Sequence, residues 1–101
     1  MMPLRENTYS NCWLSAVQLS AEAPVGPLDV IEALEKDDVE SRPVWKPMHL
    51  QPVFAGCAYV TREEGVDVGK DIFERGLCLP SDIKMSGQVQ DEVIEIIRSC
   101  F

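Results

Sequence analysis

Three prolines, Pro43, Pro47 and Pro52, fall within ten residues of each other near the middle of the chain. Proline lacks the backbone N–H and fixes φ, so neither a regular helix nor a central strand can cross residues 46 to 53. That stretch is an extended, semi-rigid loop, and the strand expected over residues 39 to 45 is confined by Pro43 to a sheet edge or to the end of a strand. Secondary structure therefore has to be built on either side of the loop.

On the N-terminal side, residues 11 to 20 are apolar on both alternating faces, which predicts a strand buried on both sides. After turn residues, Pro27 suits the first position of a helix running to 37 or 38, with Leu28, Ile31 and Leu34 (Val30 adding to Leu34) as its buried face. On the C-terminal side, residues 68 to 75 form a short helix with Gly76 placed for a left-handed cap. Leu77-Cys78-Leu79 then makes a short strand stopped by Pro80. Ser86 is the N-cap of a last helix whose Val89, Val93, Ile96, Ile97 and Cys100 make one apolar stripe. Residues 56 to 65 are a polar connection. The order is β-α-β-loop-α-β-α, an α+β fold with a sheet of about three strands and helices packed on one face.

At 101 residues the chain is one domain or a piece of one, and such a size buries a modest fraction of its surface. A net charge of -8, with basic residues scattered singly, excludes a nucleic-acid partner. No apolar run approaches the ~20 residues of a membrane span, and the first residues lack the apolar core of a signal peptide, so a cytoplasmic protein is expected. Cys12, Cys57, Cys78 and Cys100 form no C-x-x-C pair and are read as reduced, buried thiols; no metal site is expected from them or from the single His49.

The chemistry is concentrated in residues 42 to 54, Arg-Pro-Val-Trp-Lys-Pro-Met-His-Leu-Gln-Pro-Val-Phe. A proline-stiffened loop keeps its side chains aimed and loses little entropy on fixing a ligand. Arg42 could grip phosphate oxygens by its fork and Lys46 as a point charge, with Trp45 and His49 beside them. The same residues have a purely structural reading: Arg42 paired with Glu40 or another acid, Trp45 in the core, His49 a satisfied, partly buried histidine.

The chain also resembles the C-terminal part of the DegT/DnrJ/StrS family of sugar-nucleotide aminotransferases. The resemblance is carried by Asn11-Cys12-Trp13-Leu14, by the run from Glu40 through Arg42, Trp45, Lys46 and His49 to Phe54, by Phe73-Glu74-Arg75-Gly76-Leu77-Cys78-Leu79-Pro80-Ser81, and by the closing helix. It implies residues 1–10 as a lead-in and 11–101 as the small domain of a fold-type I enzyme. Such an enzyme is a homodimer that uses pyridoxal phosphate to pass an amino group from glutamate to a nucleotide-linked keto-sugar. The wording of the loop is most similar to members acting on UDP-linked 4-keto-6-deoxy amino sugars, whose products feed surface polysaccharides or glycans.

The family's Schiff-base lysine and phosphate cradle have no counterpart here. Lys36, Lys46, Lys70 and Lys84 stand in different surroundings, so no catalytic or cofactor-binding residue is assigned and the chain alone is expected to be inactive and to bind no cofactor. Arg42, Trp45, Lys46 and His49 are the candidates for substrate contacts. The competing expectation is a stand-alone, non-catalytic acidic α+β module that binds sugar nucleotides or a protein partner. A self-contained hydrolase or redox enzyme finds no Ser-His-Asp grouping or phosphate loop to support it.

Overall fold

The computed structural model describes residues 6–101, and every count below is made among those described residues. The lead-in expected at residues 1–10 lies partly outside them, on residues 1–5, and residues 6–10 carry neither helix nor strand. The elements are β1 (Ser15–Gln18), α1 (Pro27–Glu35), β2 (Arg42–Pro43), α2 (Val68–Arg75), β3 (Gly76–Leu79) and α3 (Gly87–Arg98). The expected order and α+β class hold. The proline loop is not wholly extended: it contains two single 3₁₀ turns, Met48–Leu50 and Pro52–Phe54, which the prolines tolerate because Pro52 starts its turn and Pro47 precedes the other.

The sheet is antiparallel with order β1-β3-β2, so the last strand in sequence is central. Val17 and Pro43 stand opposite Leu77, and Ala16 and Arg42 opposite Cys78. Pro43 thus sits on an edge strand, where its missing N–H breaks no ladder.

Helix α1 begins at Pro27, with the Asp29 carboxylate accepting from the Gly26 N–H at 2.7 Å. It ends earlier than expected. Val39 N–H donates to the Leu34 carbonyl and Asp38 N–H to Glu35, with Asp38 at φ 58°, the Schellman arrangement that closes helices with a left-handed residue. Helix α3 is capped by the Ser86 hydroxyl, which accepts from the Val89 N–H at 3.3 Å.

Val30, Leu34, Leu77 and Val93 form the core, with Ile31, Leu79, Ile96, Ile97 and Cys100 packed against it. Helices α1 and α3 therefore cover the Leu77 face of the sheet, as the apolar stripes predict. Leu28 departs from its predicted role: β3 and α3 reach Val30 and Leu34 but leave Leu28 65% exposed. Helix α2 buries no residue. Polar ties hold it to the end of β1, with Gln18 Nε2 donating to Asp71 at 2.9 Å and Arg75 Nη1 to the Leu19 carbonyl at 2.6 Å.

Two further expectations are corrected. All four residues of β1 are exposed rather than buried on both sides, because β1 is an edge strand, paired with β3 along one side alone. Gly76 is extended (φ -106°) and starts β3 instead of forming a left-handed cap. What it supplies is room, since a Cβ there would stand 2.4 Å from the Ile72 carbonyl oxygen. Of the cysteines, all free, only Cys78 is buried and Cys100 is half-buried; Cys12 is exposed ahead of β1 rather than inside the strand the apolar pattern indicated, and Cys57 is exposed in the polar connection, so neither is the buried thiol expected.

The accessible surface is 8470 Å². A self-contained globule of 11.3 kDa exposes about 5,700 Å² by the usual size scaling. The radius of gyration, 16.0 Å, likewise exceeds the roughly 13 Å of a closed domain of this length. A small core of this kind leaves apolar side chains in water, Trp13, Trp45, Met48, Val53 and Val60 among them.

Candidate functional site

The proline loop lies along α2. Lys46 Nζ stands 5.9 Å from the centroid of the Phe73 ring, a cation–π placement. Pro47 packs where Gly69 lacks a side chain, its Cγ 3.5 Å from the position a Cβ would take. His49 Nε2 is 2.6 Å from Asp67 Oδ2. The imidazole also stacks on Tyr59, with centroids 3.6 Å apart and planes 10° from parallel. The Tyr59 hydroxyl donates to Asp67 Oδ1 at 3.2 Å, and the Lys70 N–H donates to the same oxygen at 2.9 Å. Asp67 is thus both the N-cap of α2 and the anchor of the loop.

The electrostatics follow from these bonds. The Lys70 N–H, then the His49 imidazole and the Tyr59 hydroxyl, hold the Asp67 carboxyl below the usual carboxylate range, against a desolvation that acts the other way. Burial, then the Asp67 carboxylate, push the Tyr59 hydroxyl up. Asp67 is therefore ionised and Tyr59 neutral at ordinary pH. Since a carboxylate only accepts, the imidazole nitrogen facing it carries the proton.

The four residues singled out in the sequence do not converge. Lys46 and His49 stand over α2. Trp45, 67% exposed, is not in the core; its ring lies 6.2 Å from that of Trp13, itself 69% exposed, at a tilt of 42°. Arg42 pairs with Glu40, its Nε and Nη2 donating to Oε1 at 3.0 and 2.8 Å. This pair is exposed, so it is weak enough for a better-placed anion to displace. Arg42 lines a separate groove of about 490 Å³ with Ser41, Cys78, Ser81, Met85 and Val93, and the Ser41 hydroxyl is buried without a hydrogen-bond partner among the described residues.

Asp67, Tyr59 and Phe73 are the residues that sequence reasoning missed. Asp67 carried a usable signal as an acidic residue directly before a helix; nothing local marks Tyr59, which reaches His49 across a ten-residue separation only because the connection folds back. Among the described residues no group of three or more His, Cys, Asp or Glu side chains is placed to hold a metal ion, and no helix is long and apolar enough to cross a membrane.

Comparison with known proteins gives these residues a setting. The family model for the DegT/DnrJ/EryC1/StrS aminotransferases matches residues 1–98. A protein of Bacillus subtilis (strain 168) named as a pyridoxal phosphate-dependent aminotransferase, EpsN, is 36% identical over 100 residues, 99% of this chain and 25% of that protein. GDP-perosamine synthase of Vibrio cholerae is 32% identical over 89 residues, 88% of this chain and 23% of that enzyme. The chain spans about a quarter of the length of the curated relatives it matches. With the match running along almost all of its length, the chain belongs to the DegT/DnrJ/EryC1/StrS aminotransferase family.

Proposed function

We propose that this chain is the C-terminal, substrate-cleft domain of a sugar aminotransferase, residues 11–101 forming the small domain of a fold-type I enzyme. The observation that carries the reading is the family match over residues 1–98, in a chain a quarter as long as its relatives. The large accessible surface and the uncovered Trp13 and Trp45 support it, because a domain that closes against a larger one keeps part of its apolar surface for that contact. The complete enzyme takes an amino group from glutamate and delivers it to a nucleotide-linked keto-sugar, works as a homodimer in the cytoplasm, and serves the synthesis of a surface polysaccharide or glycan. The substrate we favour is a UDP-linked 4-keto-6-deoxy amino sugar.

Pyridoxal phosphate is the family's cofactor and serves as its electron sink. The residues of this chain do not fit it. Lys70 Nζ lies 3.6 Å from Glu74, Lys46 stands over Phe73, and Lys36 and Lys84 are exposed. On this reading the Schiff-base lysine and the phosphate cradle belong to another part of the enzyme, and the chain by itself is inactive. Its own share is to present Trp45 and Lys46 to the sugar nucleotide, the cation at a phosphate oxygen and the indole at an apolar or ring face, while Arg42 offers its fork to an anion in the separate groove it lines.

The test is to extend the reading frame upstream of Met1, express the longer protein and assay glutamate-dependent amination of UDP- and GDP-linked 4-keto-sugars. Amination of the UDP substrate supports the full reading. Preference for the GDP sugar overturns the choice of nucleotide, and a stop codon directly before Met1 overturns the aminotransferase role itself.

A further inference from the structure

We propose that Asp67 is a positioning residue for the substrate loop, acting through the Nε2–H of His49; the proposal rests on the sugar-aminotransferase reading above. The residues that would meet a ligand, Trp45 and Lys46, are held to the rest of the domain by few contacts. Lys46 has the Phe73 ring, Trp45 has Trp13, and both groups are largely open to solvent. Three residues further along, the chain is fixed by a charge-assisted hydrogen bond, the 2.6 Å contact from His49 to Asp67, whose side chains are only 17% and 22% exposed. The flat stack on Tyr59 sets the plane of the ring, and Pro47 against Gly69 sets the path of the backbone between them.

Asp67 is suited to this task because both of its oxygens are committed. Oδ1 accepts from the Lys70 N–H and the Tyr59 hydroxyl, which leaves Oδ2 for the imidazole. The proton is thereby held on Nε2, and Nδ1 has no hydrogen-bond partner among the described residues. His49, one of the four candidates for substrate contact, is thus a link between Asp67 and the loop rather than a ligand to the sugar nucleotide.

The geometry gives Asp67→Asn a defined outcome. Asparagine remains a good N-cap, so α2 is preserved. Its carbonyl oxygen must take the Oδ1 place, where two donors point, so its NH₂ faces Nε2 and drives the ring proton to Nδ1. His49 is the sole histidine, so a long-range ¹H–¹⁵N spectrum of the chain with its imidazole neutral reads the tautomer directly. The expected result is Nε2–H in the parent chain and Nδ1–H in Asp67→Asn.

In the longer enzyme, Asp67→Asn is expected to raise KM for the nucleotide sugar about 5-fold or more with kcat within about 2-fold, the pattern of lost uniform binding. His49→Gln, whose amide can donate to Asp67 in place of Nε2–H, is expected to keep KM close to that of the parent. An Nδ1–H tautomer in the parent chain, or an unchanged KM in Asp67→Asn, overturns the proposal. So does a KM that rises with His49→Gln alone, which would make the imidazole a ligand contact. A parent enzyme that aminates no nucleotide sugar would overturn the sugar-aminotransferase reading and the positioning role together, while the tautomer spectrum would still show whether the link exists.

Discussion

Val44 occupies the space that a side chain on Gly76 would need. A Cβ built on Gly76 stands 2.9 Å from Val44 Cγ2 and 3.0 Å from Cγ1, and 2.4 Å from the carbonyl oxygen of Ile72. The valine is buried and the oxygen belongs to backbone, so neither can retreat cheaply. This close approach joins three pieces of the fold: β2 beside the central strand, the end of α2, and the first residue of β3.

Gly76→Ala is therefore expected to destabilise the chain by about 1–3 kcal/mol, the usual cost of forcing a methyl group into a filled site. Urea unfolding followed by circular dichroism measures it. A change below about 0.5 kcal/mol, the range of ordinary surface substitutions, would mean that β2 and α2 are not held as described.

Asp38 offers a change in the opposite direction. It ends α1 in the left-handed region at φ 58°, where any side chain is strained and glycine is not. Asp38→Gly is expected to stabilise by about 0.5–1 kcal/mol, reduced somewhat by the greater freedom of glycine in the unfolded chain. A rise in Tm of a few degrees would agree with it; a fall would show that the carboxylate has an unrecognised role at the Arg42 groove, whose wall includes Asp38.

The pH dependence follows from Asp67 and Asp71. The Lys70 N–H lowers the first, and the Arg75 guanidinium, with Gln18 adding to it, lowers the second. A carboxyl lowered in the folded state adds stability that is fully present above its unfolded value and is lost as pH falls through the folded one. Stability should thus begin to fall near pH 4 and continue to fall below it, about where unfolded aspartates titrate. Asp71→Asn should flatten that slope. Tyr59 works at the other end: raised in the folded chain, it favours the folded state below about pH 10 and withdraws that support as pH rises through its folded value. An acid slope unchanged in Asp71→Asn would show that the pair with Arg75 does not form in solution.

Much of the fold was legible because it rests on local rules. Pro27 and Ser86 mark the starts of α1 and α3, the spacing of Val30, Leu34 and Val93 draws the faces that meet, and Pro43 had to lie on an edge. The errors came where tertiary context decides. Residues 11 to 20 are apolar on both faces like a strand buried on both sides, yet the strand is Ser15–Gln18 and burial depends on what covers it; Gly76 had the position of a left-handed cap, but a crowded neighbour explains it. The candidate site was half legible. Residues 42 to 54 announced themselves by composition, whereas the Asp67–His49–Tyr59 cluster depends on folding a distant connection back over the loop, which no local pattern encodes.

The exposed indoles give the prediction that bears most on the whole molecule. If Trp13 and Trp45 belonged to a self-sufficient core, removing them would cost the 3–5 kcal/mol typical of buried tryptophans, about the largest penalty a single core truncation carries. Their exposures of 69% and 67% say otherwise. The double variant Trp13→Gln, Trp45→Gln should unfold within about 0.5 kcal/mol of the parent chain, apart from the small term for the pair's own ring contact. It should also bind markedly less of a hydrophobic dye such as ANS, and stay monodisperse to higher concentration, because the two neighbouring rings are large apolar groups open to solvent. A large loss of stability would place the indoles inside a closed domain. It would then remove the structural argument that this surface is kept for a larger partner, and leave the aminotransferase reading to stand on sequence similarity.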